Sequence, residues 1–537
     1  MCRFFKFRFV IVFLVLLFLP SAGFPRNIPG FTADVMAPLI IPGEVINDSG
    51  QVYEYTWELF DQHLQAVKAI GVRAVSTDVW WGLVERQQDV YDWSYYDALF
   101  EHITKAGLQI HPIMSFHSCG GNVGDTYDCP IPSWIWDVAG PGGKYINELN
   151  NPGIQETVSL WAQNSNAVHQ EYSEYMEAFQ AHFAQYAGDI QGIGISCGPN
   201  GEWRYPSYDV YTVNGTSYGR GYPTRGYLYC YSDQAKTSFI VAMTSKYANI
   251  SVLNQAWGTS LQNFDQVSPP TNGDAFFNIN DSSAYINAQY GRDFIAWYHD
   301  QMVEHGKTML TLAINAFEGA FQNVPLEIKI PGVHWTAGGY DRANNYANNM
   351  PRSGEVCAGI ISNIFTPDIA DNGCGPGYAQ SMQMVSDLEK STGADITVYF
   401  TAIEMSDNDV VQAYSMARSL AFGVGKQAAN KGLTIKGENA IAPNNGSSWD
   451  QYNFWWNINN ALFYSTYSGV NILRIFNVVD PTQKANYQEL IEKYTRVKGK
   501  PASSHHSSFF LAPGFHSHHH VTEQNVVPSL LWAFACL

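Results

Sequence analysis

The chain has 537 residues, 46% of them hydrophobic and 14% aromatic, so it is long enough for a large packed core. Its formal net charge is -18, which repels phosphate backbones and anionic lipid surfaces. These values argue against nucleic acid as a partner and indicate a large globular protein.

The first 23 residues have the pattern of a secretory signal peptide. A basic start precedes an apolar run from Phe9 to Leu19, and Pro20 and small residues follow it. No later stretch reaches the roughly 20 apolar residues that a membrane helix needs. We therefore expect a secreted protein, extracellular or in the endomembrane lumen, without membrane contact after signal cleavage.

Eight short apolar strings recur along the chain, each followed by a polar turn and a helical pattern. Runs of this kind are typical of parallel strands that are buried on both faces. Eight strand–helix units predict an α/β fold, a (β/α)8 TIM-type barrel, and a doubly wound open sheet is the alternative. In chain order the strings are TADVMAPLI, VRAVSTDVWWG, LQIHPIMSFHSCGG, IQGIGISCGPNGE, LEIKIPGVHW, ITVYFTAIEMSD, GLTIKGENA and GVNILRIF.

The composition along the chain divides it into three parts. We expect a signal peptide at 1–23, a barrel domain at 24–495, and a Ser- and His-rich tail at 496–537 that is disordered. Long inserts at roughly 119–170 and 203–290 would lie on the catalytic side of the barrel, where they could shape a deep pocket.

Polar residues come at or just past the ends of seven apolar strings. In parallel barrels this is where reactive side chains are found, and unrelated surface loops would not be expected to repeat the placement. The residues are Asp78, His117, Glu202, His334, Thr401, Glu438 and Arg474.

Glu202 and Glu438 have the residue type that cleavage of a sugar acetal requires. That reaction needs one protonated carboxyl group and one ionised carboxylate. Trp203 and Tyr205 would make the surroundings of Glu202 apolar, which favours a general acid, and Lys436 would favour ionised Glu438 if their side chains meet. A single glutamate after a strand is more often a surface or capping group, so the hypothesis depends on the pair.

Other catalytic motifs are missing from the sequence. It has no HExxH or GxxxxGK[ST] motif, and no GxGxxG that leads from a strand into a helix. Cys119 beside His117 could suggest a thiol nucleophile, but the glycines at 120 and 121 fit a loop equally well.

Six motifs together resemble those of the β-amylases. They are TDVWWG, FHSCGGNVGD, GPNGEWRYPSY, GVHW, FTAIEMSD and GENA. The resemblance covers roughly residues 31–480. The sequences ISCGP and TDVWWG are more similar to those of the bacterial branch than to those of the plant branch.

The resemblance implies an inverting exo-hydrolase that releases β-maltose from the non-reducing ends of 1,4-α-glucans such as starch and glycogen. Glu202 would be the general acid and Glu438 the general base, with no cofactor needed for the chemistry and a monomer acting on the polysaccharide. Residues 120–125 would form a lid over the non-reducing end. The implied substrate-binding residues are Asp78, His117, Asp125, Lys329, His334, Thr401, Asn439, Ala440 through its backbone, and Arg474.

The resemblance also implies a structural Ca²⁺ site, because bacterial members can bind this ion. Its carboxylate ligands would be Glu85, Asp89, Glu171 and Glu174, and hard oxygen ligands suit calcium. An ordinary solvated acidic face is the alternative interpretation.

Two other functions are open at this point. One is a barrel glycosidase that retains configuration, such as a β-galactosidase-like enzyme, whose carboxyl groups would stand only about 5–5.5 Å apart. The other is a glucan-binding protein of the same fold without catalysis, which should show a damaged acid, base or lid.

Overall fold

Eight parallel strands form the centre of the molecule. The computed structural model describes residues 28–47, 50–120, 126–153, 156–213, 216–222, 224–278, 285–335, 353–360, 378–408, 415–443 and 448–495. The central strands are β1 Thr32–Met36, β2 Ala74–Trp80, β3 Gln109–Ser115, β4 Ile193–Ile195, β5 Leu326–Ile330, β6 Ile396–Thr401, β7 Thr434–Glu438 and β8 Gly469–Ile472. Each strand pairs with the next along the chain and β1 pairs with β8, so the sheet closes into a barrel.

A longer helix follows each strand along the chain. These helices are α1 Trp57–Ala69, α2 Ser94–Lys105, α3 Ser165–Phe183, α4 Gln289–Ala316, α5 Ala379–Thr392, α6 Ala417–Lys431, α7 Ser448–Tyr464 and α8 Pro481–Thr495. The predicted (β/α)8 barrel is therefore confirmed, and the doubly wound open sheet is wrong because the barrel has no open edge. No helix in the described ranges is long and apolar enough to cross a membrane.

Helix α1 shows how the local sequence determines these elements. Thr56 caps its N-terminus, since the hydroxyl group accepts a hydrogen bond from the backbone N–H of Leu59. Phe60, Leu64 and Val67 are buried and recur at intervals of four and three residues. This spacing places them on one face of the helix, which packs against the core.

Shorter elements occupy the connections. The two longest loops follow β3 and β4, as predicted, although the first ends at Ser165, about five residues earlier than expected, because helix α3 begins there. The hairpins are Gly43–Ile46 with Val52–Tyr55, Val210–Val213 with Thr216–Gly219, and Asp407–Asn408 with Ser415–Met416. The connections also contain the 14-residue helix Asp233–Lys246. The short helices are Trp81–Val84, Ile135–Ala139, Ile250–Trp257, Gly273–Phe276, Ser353–Ala358 and Ile475–Val478. Single 3-10 turns are Ala184–Tyr186, Pro199–Gly201, Phe264–Gln266 and Tyr285–Asn287.

The barrel interior contains a layer of charged side chains. Asp34, His111, Glu327 and Lys436 come from β1, β3, β5 and β7, the alternate strands that supply one layer in such barrels. His111 is paired with Glu327, and Lys436 Nζ lies 3.7 Å from Glu327 Oε1. Side chains two residues further along β5 and β7 point the same way, so the next layer contains Lys329 and Glu438.

Candidate active site

The predicted site residues gather at the carboxyl ends of the barrel strands. Thr401 and Glu438 are the last residues of β6 and β7 and lie side by side in the sheet register. Lys329 is the penultimate residue of β5, and Asp78 lies within β2. The others follow their strands by one to seven residues, except Asp125, which lies outside the described residues. They are His117, Glu202, His334, Asn439, Ala440 and Arg474.

Each carboxylate oxygen of Glu438 accepts a hydrogen bond from a donor on a neighbouring element. Oε1 accepts a hydrogen bond from Lys329 Nζ at 2.8 Å, and Oε2 accepts one from Asn471 Nδ2 at 2.8 Å. The Asn471 amide is itself oriented, because its Oδ1 accepts a hydrogen bond from Ser76 Oγ at 3.1 Å. Burial lowers the pKa of Lys329, but Glu438 and then Asp78 outweigh it and raise that pKa overall, so the ammonium form persists.

The condition set for Lys436, that its side chain meets Glu438, is not fulfilled. Lys436 is two residues earlier on the same strand and belongs to the charged layer below, where Glu327 is its partner. Lys329 on the neighbouring strand takes its place beside Glu438.

A tight turn places Glu202 beside strand β5. Residues Pro199–Gly201 form a 3-10 turn in which Gly201 has a φ of +75°, a conformation that favours glycine. After this turn Glu202 forms a parallel bridge with Lys329, and the Trp203 N–H donates to the Lys329 carbonyl at 2.8 Å. The backbone of β5 therefore holds Glu202.

The Glu202 side chain lies in a buried polar network. Its Oε2 accepts hydrogen bonds from Arg204 Nε at 2.7 Å and from the Tyr208 hydroxyl at 3.0 Å. Its Oε1 accepts one from Thr401 Oγ1 at 2.8 Å, and Thr401 in turn accepts from the Gly332 N–H. A guanidinium can only donate hydrogen bonds, so Oε2, which Arg204 contacts, has to remain an acceptor. The proton of a neutral Glu202 therefore belongs on Oε1, the oxygen that contacts Thr401.

The predicted apolar surroundings of Glu202 are wrong. Trp203 and Tyr205 point away from it, and their polar atoms donate to the carbonyls of Met302 and Tyr298 on helix α4. The backbone bends at Trp203 and Arg204, where the Arg204 N–H donates to the Glu202 carbonyl at 3.0 Å, and the Arg204 side chain is the one that meets Glu202.

His117 and His334 are held as neutral rings. The Nδ1 of His117 shares a hydrogen bond with Ser196 Oγ at 2.8 Å, and that of His334 with Ser415 Oγ at 2.6 Å. Burial, followed by the charges of Lys329 and Arg204, lowers the pKa of His117 to about 3, and burial lowers that of His334 to about 4. Each ring keeps its other nitrogen for a neutral hydrogen bond, as a sugar hydroxyl would offer.

Hydrogen bonds join the loop after β7 to the loop after β8. Asn439 Nδ2 donates to the Leu473 carbonyl and its Oδ1 accepts from the Leu473 N–H at 2.8 Å. The N–H of Ala440 donates to Glu404 Oε1, which occupies that donor. Arg474 Nη1 is buried and has no hydrogen-bond partner among the residues the structure describes.

The thiol of Cys119 lies 3.4 Å from the carbonyl oxygen of Tyr127. The Nδ1 of His117 is bonded instead to Ser196, so the sequence neighbours do not form a nucleophile–base pair through that nitrogen.

Three acidic residues form a separate cluster between the loop after β2 and helix α3. Ligand atoms of Glu85, Asp89 and Glu171 all lie within 4.8 Å of one another. Burial raises the pKa of Glu85 to about 7, and Glu171 and Asp89 add to the rise. Glu174, also expected here, is not part of this cluster, and its carboxylate accepts a hydrogen bond from Gln170.

Several site residues carry weaker sequence signals and were not predicted. Arg204 follows Glu202 by two residues in GPNGEWRYPSY, which makes it the cation nearest in sequence to a carboxylate that needs a partner when buried. Asn471 is a polar residue inside the apolar string GVNILRIF, a pattern that indicates an inward-facing polar side chain.

Residues 34–502 match the family described as Glycosyl hydrolase family 14. The chain belongs to glycosyl hydrolase family 14. It is 37% identical to the "Thermophilic beta-amylase" of Thermoanaerobacterium thermosulfurigenes over 84% of this chain and 72% of that protein. It is 34% identical to the "Beta-amylase" of Cytobacillus firmus, over 87% and 88%, and 31% identical to that of Medicago sativa, over 77% and 76%.

A solved family 14 structure has the same fold. The catalytic domain of β-amylase from Paenibacillus polymyxa superposes with a TM-score of 0.70 at 31% identity, covering 88% of this chain and all of that chain. The prediction of a β-amylase-type glycoside hydrolase with a bacterial-type sequence is therefore confirmed.

Loss of the cation beside Glu438 should destabilise the family 14 barrel. We expect Lys329→Met to lower the free energy of unfolding by about 3–5 kcal/mol, because it leaves a buried carboxylate with one donor. Glu438→Gln in the same chain should recover about 1–3 kcal/mol of this loss, since the charge is then gone. Urea unfolding of the two single variants and the double variant measures both quantities.

The control is Lys307→Met, which removes an exposed lysine from helix α4 and should change stability by less than about 0.5 kcal/mol. Strict additivity of the Lys329 and Glu438 substitutions would show that the ion pair does not couple them.

Proposed function

We propose that this β-amylase hydrolyses the α-1,4-glucosidic bonds of starch-type glucans by a single displacement with inversion, and releases β-maltose from non-reducing ends. The observation that carries the proposal is the arrangement of Glu202 and Glu438. Both are buried at the carboxyl end of the barrel, yet each is held by its own set of donors. An inverting enzyme needs two independent carboxyl groups of this kind.

The order of the strands separates the two carboxyl groups, which supports space for a water molecule between them. Glu202 is bonded to the edge of β5, whereas Glu438 ends β7, and β6 lies between them. Thr401 at the end of β6 contacts Glu202, and Lys329 of β5 contacts Glu438. We expect the carboxyl groups to stand roughly 6.5–9.5 Å apart, the separation of inverting pairs, and not the shorter separation of a retaining β-galactosidase-like enzyme.

Glu202 acts as the general acid. Its proton on Oε1 passes to the glycosidic oxygen as the bond to the anomeric carbon breaks. The resulting carboxylate is stabilised where it stands, because Arg204 and Tyr208 donate to Oε2 and the Thr401 hydroxyl donates to Oε1.

Glu438 acts as the general base. It takes a proton from a water molecule that attacks the anomeric carbon on the face opposite the leaving group, which converts the α-linkage into a β-anomeric product. Lys329 and Asn471 fix the carboxylate by one hydrogen bond to each oxygen, and the remaining lone pairs are available to the water.

The proposed substrate contacts come from side chains around these two groups. Arg474 offers a buried donor, and the neutral rings of His117 and His334 each offer a ring nitrogen. Asp78 is oriented by Ser115 Oγ at 2.9 Å. Lys329, Thr401, Asn439 and the Ala440 backbone carbonyl complete the proposed set, together with Asp125.

Exo attack requires a site that is closed beyond the non-reducing end, and we assign this closure to the loop containing residues 120–125. Residues 121–125 lie outside the described residues, but the base of the loop is defined. Cys119 and Cys129 exchange two backbone hydrogen bonds, at 2.8 and 3.2 Å. This pair joins the two ends of the segment 120–128 close to His117 in the sequence.

Glucan hydrolysis outside the cell fits the signal sequence at 1–23, and we propose that the mature enzyme is secreted and acts as a monomer. The signal sequence and the tail at 496–537 both lie outside the described residues.

We propose that Glu85, Asp89 and Glu171 hold a structural Ca²⁺ ion. The residues fit this ion, since three hard carboxylates converge and burial works against the ionised form of Glu85. A divalent cation would compensate the charge and tie the loop after β2 to helix α3. It supplies no catalytic step.

Substitution of either carboxylate tests the catalytic assignment. Glu202→Gln and Glu438→Gln should each lower kcat on soluble starch by several orders of magnitude, because the proton donor or acceptor is lost, while starch binding survives. Glu304→Gln on the exposed face of helix α4 is the matched control and should keep full activity. Substantial turnover in either active-site variant would rule out the two-glutamate scheme.

Calcium should raise the thermal stability of the chelator-treated enzyme, with the largest effect above pH 7. The folded pKa of Glu85 is about 7 against an ordinary value of 4.5, so the folded protein binds this proton more tightly than the unfolded chain. Without calcium, stability therefore falls as pH rises from about 4.5 through 7. Thermal melts at pH 5 and pH 8, with and without calcium, measure this.

Glu171→Gln should abolish the calcium response, whereas Glu174→Gln should retain it because Glu174 is outside the cluster. Equal melting temperatures with and without calcium in the unmodified enzyme would contradict the metal assignment.

A further inference from the structure

Asp209 shares an arginine with the proposed general acid. Arg204 is fully buried and joins two carboxylates, with Nε 2.7 Å from Glu202 Oε2 and Nη2 2.8 Å from Asp209 Oδ1. Its Nη1 donates to the Tyr205 carbonyl at 3.0 Å, and the guanidinium lies over the Tyr208 ring. Arg204 is thus held firmly between the two acids.

The charges of this group do not balance when both acids are ionised. One guanidinium then faces two buried carboxylates, which leaves one net negative charge in a poorly solvated place. Asp209 Oδ2 is buried and has no hydrogen-bond partner among the residues that the structure describes. Asp209 therefore depends on Arg204 for its compensation and competes with Glu202 for it.

Other titratable groups surround the pair from neighbouring elements. Lys329 and His117 lie on the side of Glu202, and the His117 ring is neutral. Tyr208 and Tyr229 face the acids as neutral phenols, since burial raises the pKa of both. Arg204 and Lys329 are the cations of this group. In the described part of the chain, only Arg204 makes an ion pair with Asp209.

We propose that Asp209 is a positioning residue that acts through Arg204 and keeps Glu202 protonated to higher pH than Arg204 alone would allow. The proposal rests on the proposed function, in which Glu202 must carry a proton at the start of each turnover. Ionised Asp209 neutralises Arg204, so that ionisation of Glu202 creates an uncompensated buried charge. The two acids consequently lose their protons in two separate steps.

Asp209 and Glu202 oppose each other's ionisation across Arg204. Burial raises the pKa of Asp209 to about 6 against the opposing effect of Arg204, and the charge of Glu202 adds to the rise. This coupling is mutual, so ionised Asp209 equally opposes loss of the proton from Glu202.

The same coupling helps to reset the enzyme. After Glu202 has given its proton to the leaving group, Glu202 and ionised Asp209 are both negative around Arg204. This repulsion favours uptake of a proton from solvent by Glu202. Asp209 needs no contact with the sugar to have this effect.

The test is the pH dependence of kcat/KM for maltopentaose in the full-length enzyme and in Asp209→Asn. Loss of the Asp209 charge leaves Arg204 to stabilise ionised Glu202 alone, so the alkaline limb of the profile should move to lower pH by about one unit. KM at the optimum should change by less than about twofold, and Asp209→Glu should restore the original limb.

Two further variants keep the test decisive. Asp209→Ser leaves space for water beside Arg204 and should shift the limb in the same direction if the asparagine variant does not fold. Asp293→Asn removes another buried carboxylate, paired with Lys246, and should leave the limb unchanged.

The proposal is overturned if Asp209→Asn and Asp209→Ser lower kcat/KM equally at every pH with the alkaline limb in place, because Asp209 would then only support the fold. Failure of the proposed function is distinguishable, since the unmodified enzyme would then not release β-maltose as its first product at any pH.

Discussion

The carboxylates inside this barrel are buried, so each has to be matched by a cation or by several hydrogen-bond donors from the same interior. Glu327 is matched by His111 and Lys436, Glu438 by Lys329 and Asn471, and Glu202 by Arg204, Tyr208 and Thr401. These matches join side chains from different strands, and the closed sheet register brings them together. The chemistry of the site depends on this matching, because it holds two buried carboxyl groups in place at the carboxyl end of the barrel.

Much of the architecture could be predicted because buried parallel strands have a strong local signature. All eight apolar strings are strands of the barrel, including the short one at Ile193–Ile195 and the early one at Thr32–Met36. The positions of Glu202, Thr401 and Glu438 followed from the same pattern, since polar residues at the ends of parallel strands meet at one face. Family motifs added the roles of these residues, which spacing alone leaves open.

The partners of the catalytic carboxylates could not be predicted from neighbours in the sequence. Lys436 is close to Glu438 along the chain, but it lies one layer lower, and the adjacent strand supplies Lys329 instead. Trp203 flanks Glu202 directly and points away from it, whereas Arg204 points towards it. The bend of the backbone after Glu202 and the register between strands decide these contacts, and neither is visible in a list of adjacent residues.

The central claim is inversion by Glu202 and Glu438 at the end of a glucan chain, and the anomeric form of the first product tests it most directly. Proton NMR of fresh product from soluble starch, recorded before mutarotation, resolves the two anomers of maltose. The account predicts β-maltose as the sole early product. An early α-anomer, or a ladder of longer oligosaccharides, would contradict it.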